Sequence, residues 1–481
     1  MKRRQIHQLK GMNDLTESEF LRLREATDKL QHLFGLYGYH IIDTPLLEET
    51  ELFLRKSGGE MGARLYAFTD PGGDKISLRP EFTASVIRRY IQSHDKDPLP
   101  IRWQYSGPVF RYEQNENESN RQYTQLGAEM LGADSPEADA EIVAMAWYGA
   151  CELGVSGHRI QIGHVGAIQG LLREYGLTER ALDFLVESLP RLAAGSTGSS
   201  EVELRGRELG LLGQEEMKTL SAYDRQMDSS ADESLLQVFL KDRLDAVAGQ
   251  RTPEEIFQRF LRKARGIDDS AKLERALNLM KSLAVVKGSP DKSLKEARTV
   301  AKSFKLNEKP FDQVSRLIQS LENYGLDTSK IKLDFSLAKG FAYYTGVIFR
   351  LTNPSLPTGV YLGGGGRYDS LVKALGGSKE TPAIGFAFNL ERTLSVIKKS
   401  ARPVRNAVSQ GTLLVSQTAE AYPQTLRLAS KLRSRDTVVQ VWFGEQSKQA
   451  YTEFARQKKL GKVVVVDKEG HTQEIPVKVG A

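Results

Sequence analysis

The feature that most constrains the fold is a series of strand-length stretches that do not alternate regularly with helices. Gly and Pro turns separate "RLYAFTD", "KISLRPE" and "PIRWQYSGPVFRYE", and "NRQYTQLGAEMLG" follows. Helical stretches lie among them, at residues 17–36 and in "SPEADAEIVAMAWYGACELG", where Ser135 is placed to act as the N-cap. Because no regular βαβ rhythm is present, the pattern predicts an α+β fold with a largely antiparallel sheet.

A helical block interrupts this strand pattern in the middle of the chain. Residues 171–329 are rich in Leu, Arg, Glu and Lys at helical spacing, as in "TPEEIFQRFLRKARG", "SAKLERALNLMKSL" and "KPFDQVSRLIQSLENYG". Strands resume with "KIKLDFSLAKG", "YYTGVIFRLT" and "GVYLGGGGRYD". We therefore predict a core domain formed by residues 1–170 and 330–400, with residues 171–329 as a helical insertion.

A linker at residues 401–410 leads into a different pattern. The apolar runs "GTLLVS", "VVQVWF" and "KVVVVD" have the length of strands, and helical stretches at about 418–434 and 447–459 separate them. Continuous apolar runs are typical of parallel strands that are buried on both faces. Residues 411–481 are therefore predicted to form a small α/β domain of the βαβαβ type.

Composition places the chain among ordinary globular proteins. Its 481 residues carry a net charge of +6, with acids and bases mixed throughout, which indicates a solvated surface rather than a nucleic-acid-binding face. The seven histidines lack the spacing of a metal site, and Cys151 is the single cysteine, so no metal site and no intrachain disulfide are expected. No apolar run of about 18 residues occurs. We predict no membrane span and a cytoplasmic location.

Polar residues recur at every second position of two predicted strands and therefore share one face of the sheet. A face that carries Arg, Gln and Glu is costly to bury without a partner, and it suits a polar ligand that bears both an amine and an anion. The alternative is the solvated face of an antiparallel sheet. The positions are Arg111 and Glu113 in the first strand, and Arg121, Tyr123, Gln125, Gly127 and Glu129 in the second.

A run of four glycines, Gly363 to Gly366, marks either a close approach of the backbone to a ligand or a structural bulge. Such a run is by itself weak evidence for phosphate binding. Arg392 begins a predicted helix after an apolar strand, from where its guanidinium could reach a triphosphate or lie on the surface.

Six motifs in order carry a resemblance to a known family: "RPEFTA", "GPVFRYE", "NRQYTQLGAE", "YYTG", "GGGGRYD" and "GFAFNLER". Together with "KGMNDL" and "YGYHIIDTPLLEETELF", they resemble the catalytic core of class II aminoacyl-tRNA synthetases, specifically the histidyl-tRNA synthetases. The resemblance covers residues 5–170 and 330–400 and implies an antiparallel sheet flanked by helices. "YGYHIIDTP" falls where that family has its dimer-interface motif, and residues 411–481 weakly resemble a reduced anticodon-binding domain.

The resemblance also implies roles for individual residues. A histidine pocket is expected, in which carboxylate and amide groups hold the ammonium and imidazole groups. The guanidinium groups are expected to meet the ligand carboxylate and the ATP phosphates, because their planar fork suits oxyanions. The histidine-binding set is Glu81, Thr83, Arg111, Gln125, Glu129, Tyr343 and Tyr344, and the nucleotide-binding set, if it is retained, is Arg111, Glu113, Arg121 and Arg392.

Two positions depart from the family pattern R-G-L-D-Y-Y. Lys339 stands in place of the arginine and Ala342 in place of the aspartate. A lysine keeps the charge but loses the planar fork, and we estimate a loss of ~3 kcal/mol, on the order of 10²–10³ in the rate of adenylation. The loop "QNENESN" at residues 114–120 is acidic and would repel ATP and an RNA end, unless it is merely a permissive loop.

These departures, together with "GHVG" at residues 163–166, resemble a paralogous family, the regulatory subunits of ATP phosphoribosyltransferase. This resemblance predicts a non-catalytic, cytoplasmic subunit that acts in histidine biosynthesis and binds histidine allosterically. It implies the short-form catalytic subunit as partner, a homodimer within a hetero-oligomer, and no catalytic residues at Lys339 and Ala342. No cofactor is expected. The alternative is a histidine--tRNA ligase, for which ATP, Mg²⁺ and tRNA are implied.

Overall fold

The computed structural model describes residues 6–94, 96–112, 120–212, 270–337, 344–397 and 411–477, and gives only the backbone for residues 56–61. These residues form two compact units. The first contains Met1–Ala167, Lys287–Lys295 and Lys309–Ala481, and the second contains Ile168–Val286 and Glu296–Glu308. The domain limits expected from the sequence stay predictions.

Helices and strands are numbered here along the described part of the chain. The helices are α1 Glu17–Leu36, α2 Thr50–Gly62, α3 Thr83–Ser93, α4 Pro136–Glu152, α5 Val165–Arg173, α6 Glu179–Leu192, α7 Ser196–Glu208, α8 Ser270–Ala284, α9 Pro290–Ser303, α10 Pro310–Asn323, α11 Leu371–Ala374, α12 Leu390–Ser395, α13 Tyr422–Arg433 and α14 Lys448–Gln457. The strands are β1 His40–Ile41, β2 Leu47–Glu49, β3 Ala67–Thr69, β4 Lys75–Leu78, β5 Ile101–Phe110, β6 Gln122–Leu131, β7 Arg159–His164, β8 Lys287–Gly288, β9 Ile331–Asp334, β10 Val347–Thr352, β11 Gly363–Arg367, β12 Ala383–Asn389, β13 Thr412–Ser416, β14 Val439–Val441, β15 Lys462–Val466 and β16 Thr472–Pro476.

Local capping fixes the ends of the long helices. Thr16 and Glu19 form a capping box at α1, where each side chain satisfies a backbone N–H of the first turn. The Ser135 hydroxyl accepts a hydrogen bond from the Ala138 N–H at α4, and Pro136 occupies the first turn, which confirms the predicted N-cap. The acidic residues of both first turns also suit the helix dipole.

The first unit is built on a large sheet with the strand order β1-β5-β6-β12-β11-β10-β7-β9-β8. Its pairs are antiparallel except β1 with β5 and β7 with β9. One face is covered by an apolar layer, in which Phe34 of α1 packs edge-on against Phe386 with ring centroids 5.4 Å apart. The largely antiparallel α+β fold predicted from the sequence is confirmed.

The C-terminal part of the first unit has its own sheet, with the order β14-β13-β15-β16. Strands β14, β13 and β15 are parallel, as their apolar runs predict. The sequence did not indicate β16, which adds an antiparallel edge strand. Polar and apolar residues do not alternate along β16, and most of its residues are exposed. Its sequence therefore lacks the period-two pattern of a half-buried strand.

The second unit is helical in its described part. Helix α6 packs on both α7 and α8 through buried leucines such as Leu185, Leu189 and Leu277. Helix α8 matches the predicted stretch "SAKLERALNLMKSL", whereas "TPEEIFQRFLRKARG" lies outside the described residues. The stretch "KPFDQVSRLIQSLENYG" forms α10, which packs on α4 of the first unit rather than within the helical unit.

None of the described helices is long and apolar enough to cross a bilayer. The cytoplasmic location expected from the sequence stays a prediction.

Candidate active site

Glu129, on β6, lies at the centre of a buried polar cluster on the sheet face opposite the phenylalanine layer. Its carboxylate accepts hydrogen bonds from the Thr83 hydroxyl (2.8 Å), the Tyr105 hydroxyl (3.0 Å) and the Tyr368 hydroxyl. Only 1% of Glu129 is exposed. Burial raises the pKa of Glu129 to about 7, although the three hydroxyl donors oppose that rise. The carboxylate is therefore poised between its two protonation states near neutral pH.

A second carboxylate, Glu81, lies at the entrance to α3. It accepts a hydrogen bond from the Ala84 N–H (3.1 Å) and so replaces an N-cap side chain at a helix start whose own N-cap residue, Phe82, has no polar side chain. Burial raises the pKa of Glu81, and the Arg111 guanidinium partly offsets the rise. Two buried carboxylates in one cluster favour a ligand that brings positive charge or N–H donors.

Gln125 and Tyr344 complete this face. The Gln125 side-chain oxygen accepts a hydrogen bond from the Phe82 N–H (3.1 Å), which ties β6 to the turn before α3. Tyr344 is half-buried, and burial raises its pKa, with the carboxylates of Glu129 and Glu81 adding to the rise. Its hydroxyl is therefore protonated and can donate a hydrogen bond at neutral pH.

Glycines on the neighbouring strands leave the space that these side chains occupy. A Cβ at Gly385 would lie 1.5 Å from a Glu129 carboxylate oxygen, and one at Gly366 would lie 2.9 Å from the Tyr344 ring. No larger residue fits there without moving the acid or the tyrosine. These glycines therefore allow strands β11 and β12 to pack closely beneath the polar cluster. The approach of the glycine run to a ligand stays a prediction.

Arginines lie around this cluster. The Arg111 Nε donates to the Pro80 carbonyl oxygen (2.8 Å), and its guanidinium lies 5.6 Å from the Tyr123 ring centroid. The Arg121 guanidinium packs over the Tyr112 ring at 4.2 Å. Both residues lie just outside β5 and β6, at the open ends of these strands.

Arg392 is held at the start of α12. Asn389 caps this helix by accepting a hydrogen bond from the Arg392 N–H (3.0 Å), and the Arg392 guanidinium donates to the Tyr361 carbonyl oxygen (3.1 Å). The neighbouring Glu391 carboxylate accepts from both the N–H and the hydroxyl of Thr124, at 2.8 Å each. This contact ties α12 to the beginning of β6, next to Gln125.

The structure brings together most of the residues singled out in the sequence and adds two. Glu113, Lys339, Ala342 and Tyr343 lie outside the described residues. Tyr105 and Tyr368 were not predicted as site residues, yet both donate to Glu129. Tyr105 has the same strand parity as Arg111, so the alternation rule could have found it. Tyr368 lies in the quoted motif "GRYD", but no local pattern shows that it reaches β6.

The described residues contain one grouping with metal-ligating side chains in mutual reach: Asp467, Glu469 and His471. These residues occupy the turn before β16 in the C-terminal sheet, and Asp467 and His471 are already paired at 3.0 Å. Exposed acidic turns of this kind occur commonly without a metal. The polar cluster around Glu129 has no histidine or cysteine among its members.

The site can hold a zwitterionic ligand whose donor groups face the buried carboxylates and whose anionic groups face the arginines. This arrangement on an antiparallel sheet with flanking helices matches the class II aminoacyl-tRNA synthetase-like fold. Residues 11–393 match the family model described as histidyl-tRNA synthetase. The chain belongs to the histidyl-tRNA synthetase family.

Relatives of known name agree with this family. The chain is 32% identical over 393 residues to the histidine--tRNA ligase of Pyrococcus horikoshii, covering 82% of this chain and 75% of the relative. It is 27% identical over 473 residues to the histidine--tRNA ligase of Methanocaldococcus jannaschii, covering 98% and 94%. A solved structure from Bacillus halodurans C, described as an ATP phosphoribosyltransferase regulatory subunit/histidyl-tRNA synthetase, is similar with a TM-score of 0.56. Its identity is 22% over 97% of this chain and 99% of that one, and the likeness therefore shows the fold alone.

The prediction of a non-catalytic regulatory subunit of ATP phosphoribosyltransferase is wrong. Curated relatives that span most of the chain at 27–32% identity are histidine--tRNA ligases. The prediction depended on Lys339, Ala342 and the segments at residues 114–120 and 163–166, which are few positions compared with the length of chain that matches the synthetases. The catalytic partner subunit implied by that prediction loses its support as well.

Proposed function

We propose that this chain is an ATP-dependent histidine--tRNA ligase. The observation that carries the proposal is the buried Glu129 carboxylate, ringed by Thr83, Tyr105 and Tyr368, in a chain of the histidyl-tRNA synthetase family. A buried carboxylate with a pKa near 7 suits an imidazole N–H, which donates a hydrogen bond without requiring a full positive charge.

The remaining groups account for the other end of the amino acid. Glu81 supplies a carboxylate for the α-ammonium group, and Gln125 supplies an amide beside it. Arg111, whose charge interacts with Glu81, lies where the α-carboxylate would emerge. The pocket thereby discriminates by hydrogen bonding, since an apolar amino acid would supply neither an ammonium nor an imidazole N–H to the two buried carboxylates.

In the proposed reaction a carboxylate oxygen of histidine attacks the α-phosphorus of ATP. The bond from that phosphorus to the bridging oxygen breaks, and pyrophosphate leaves with the electron pair. A ribose hydroxyl of tRNA then attacks the histidyl carbonyl carbon, releases AMP and loses its proton to solvent. Arg111, Arg121 and Arg392 would oppose the negative charge that accumulates on the phosphates. Mg²⁺ would arrive with ATP as part of the substrate.

The test is histidine-dependent ATP–pyrophosphate exchange, followed by charging of tRNA. We expect exchange that requires histidine and that falls at least ~100-fold in Glu129→Ala, because the imidazole then has no acceptor. Glu474→Ala, which alters an exposed ion pair of the C-terminal sheet, is the matched control and should retain activity. Absence of exchange in a folded protein that binds histidine would overturn the proposal.

A further inference from the structure

We propose that Arg350, on β10, is a further substrate-binding residue that contacts the phosphoryl groups of the nucleotide. This inference rests on the proposed function and adds a residue that the sequence did not indicate. Two observations support it. The first is the register of the large sheet, and the second is that Arg350 and Arg392 both donate hydrogen bonds to Tyr361.

The strand register places Arg350 on the same sheet face as the histidine-pocket residues. One row of paired residues crosses the sheet from β6 through β12 and β11 to β10. In this row Glu129 pairs with Gly385, Gly385 with Gly366, and Gly366 with Ile348. Directly opposite residues of an antiparallel sheet point to the same face, and so do residues two apart on one strand. Arg350, two residues after Ile348, therefore shares the face of Glu129.

The row of strand residues that leads to Arg350 carries only small side chains. Along the next row, Gly127 lies opposite Ala387, Ala387 opposite Gly364, and Gly364 opposite Arg350. A Cβ at Gly364 would be 3.4 Å from the Arg350 side chain, which shows that this side chain runs alongside the glycine. Three strand spacings of about 4.8 Å separate the two ends of the row, ~14 Å in all. An amino acid joined to a nucleotide phosphate is of this length.

Contacts with Tyr361 bring Arg350 toward Arg392. The Arg350 guanidinium donates to the Tyr361 hydroxyl (2.6 Å) and lies 4.3 Å from its ring centroid. The Arg392 guanidinium donates to the carbonyl oxygen of the same tyrosine. Both guanidinium groups therefore contact Tyr361, one at its hydroxyl and one at its carbonyl oxygen, and an anion bound beside this residue would interact favourably with both charges.

The position of Arg350 favours an anionic ligand for a second reason. The side chain is half-buried, and burial lowers its pKa, which shows that the charge is poorly solvated there. Tyr344, in contact with the polar cluster around Glu129, also interacts electrostatically with Arg350. A phosphoryl group would restore the solvation that the guanidinium loses, through two parallel hydrogen bonds.

The test compares Arg350→Gln, Arg350→Lys and Tyr361→Phe in pyrophosphate exchange, with KM measured separately for ATP and histidine. We expect Arg350→Gln to raise KM for ATP or lower kcat by ~10-fold or more, since a bidentate phosphate contact is lost. Histidine binding without ATP should be unchanged. Arg350→Lys should recover part of the loss, because it keeps the charge without the fork. The control is Arg159→Gln, an exposed arginine on β7.

Several outcomes overturn the inference. It fails if Arg350→Gln leaves both constants unchanged, or if Arg350→Gln weakens histidine binding without ATP as strongly as it weakens ATP use, since the substitution would then disturb the whole site. Tyr361→Phe should give a smaller ATP defect than Arg350→Gln, because it removes one contact of the guanidinium and leaves its charge. Nucleotide binding by calorimetry separates this inference from the proposed function. A wild-type protein that binds ATP through Arg350 but shows no exchange supports the inference and overturns the proposed reaction. A wild-type protein with neither activity overturns both.

Discussion

At the scale of single residues, Glu129 combines near-complete burial with three hydroxyl donors. Burial raises its pKa from 4.5 to about 7. In the unfolded chain the carboxyl ionises near pH 4.5, whereas in the folded chain it ionises near pH 7. Between these pH values the folded state holds a proton that the unfolded state has lost. The free energy of unfolding therefore falls as the pH rises from 4.5 toward 7 and levels off above that. The protein thus loses stability over the pH range in which this site gains a hydrogen-bond acceptor.

A pH dependence of histidine binding follows from this shift. If the carboxylate must accept the imidazole N–H, affinity should rise with pH and be about tenfold weaker at pH 6 than on the plateau above the pKa. Glu129→Gln should remove this component and leave only the titration of free histidine, which is common to both proteins. Calorimetric titrations between pH 5.5 and 8.5 measure the difference. Parallel pH profiles for the two proteins would contradict the role of Glu129.

At the scale of structural elements, Asp369 joins three segments that converge under the site. Its carboxylate accepts hydrogen bonds from the Arg367 guanidinium (2.9 Å), the Ala383 N–H (3.0 Å) and the Thr345 hydroxyl (3.2 Å). These hydrogen bonds join the C-terminal end of β11 to the start of β12 and to the segment that leads into β10. Tyr368 and Tyr344 are the chain neighbours of Asp369 and Thr345, so this junction sets where both tyrosines stand.

Asp369→Asn should therefore loosen the pocket while leaving the fold intact, because Arg367 keeps its buried pairing with Asp139 (2.6 Å). We expect a loss of about 1–3 kcal/mol in the free energy of unfolding, as for other charged hydrogen bonds, and a larger rise in KM for histidine than for ATP. Denaturant titration and steady-state exchange measure the two effects. Asp291→Asn, exposed on α9, is the control. Equal rises in both KM values would indicate a general structural defect instead.

At the scale of the whole first unit, a buried ion network connects the large sheet to the C-terminal sheet. Glu141 of α4 lies 3.2 Å from Arg102 of β5 and 3.6 Å from Arg433 of α13, and all three side chains are at most 4% exposed. The same guanidinium groups donate to the carbonyl oxygens of Val441 and Val439, each at 2.7 Å. The C-terminal sheet is thus attached through buried charges whose ion-pair and hydrogen-bond partners lie in both parts.

Glu141→Gln should destabilise this attachment strongly, because it leaves two buried guanidinium groups without their counter-charge. We expect a loss of about 3–5 kcal/mol in the free energy of unfolding. Glu474→Gln, in an exposed pair with Lys462, should cost at most about 1 kcal/mol. Chemical denaturation of both variants gives the comparison, and similar costs for the two would show that the network is dispensable.

Local pattern was sufficient for the parts of this molecule that depend on chain neighbours. The period of two in β6 placed Gln125 and Glu129 on one face, and the capping residues Ser135 and Pro136 located the start of α4. The apolar runs of β13 and β15 likewise predicted parallel pairing. The functional prediction was wrong because it weighed a few departing positions above the long matching stretches, and neither Lys339 nor Ala342 lies in the described part of the chain.

By itself, the sequence determined the periodic elements, their caps and which residues share a strand face, because these depend on interactions within a few residues. Only the tertiary structure decided that Tyr368 reaches Glu129 across a sequence separation of 239 residues, and that β12 and β11 lie between β6 and β10. The raised pKa of Glu129 and the placement of Arg350 follow from those pairings. Strand order and burial depend on the packing of the whole core, and no local pattern in the chain encodes that free energy.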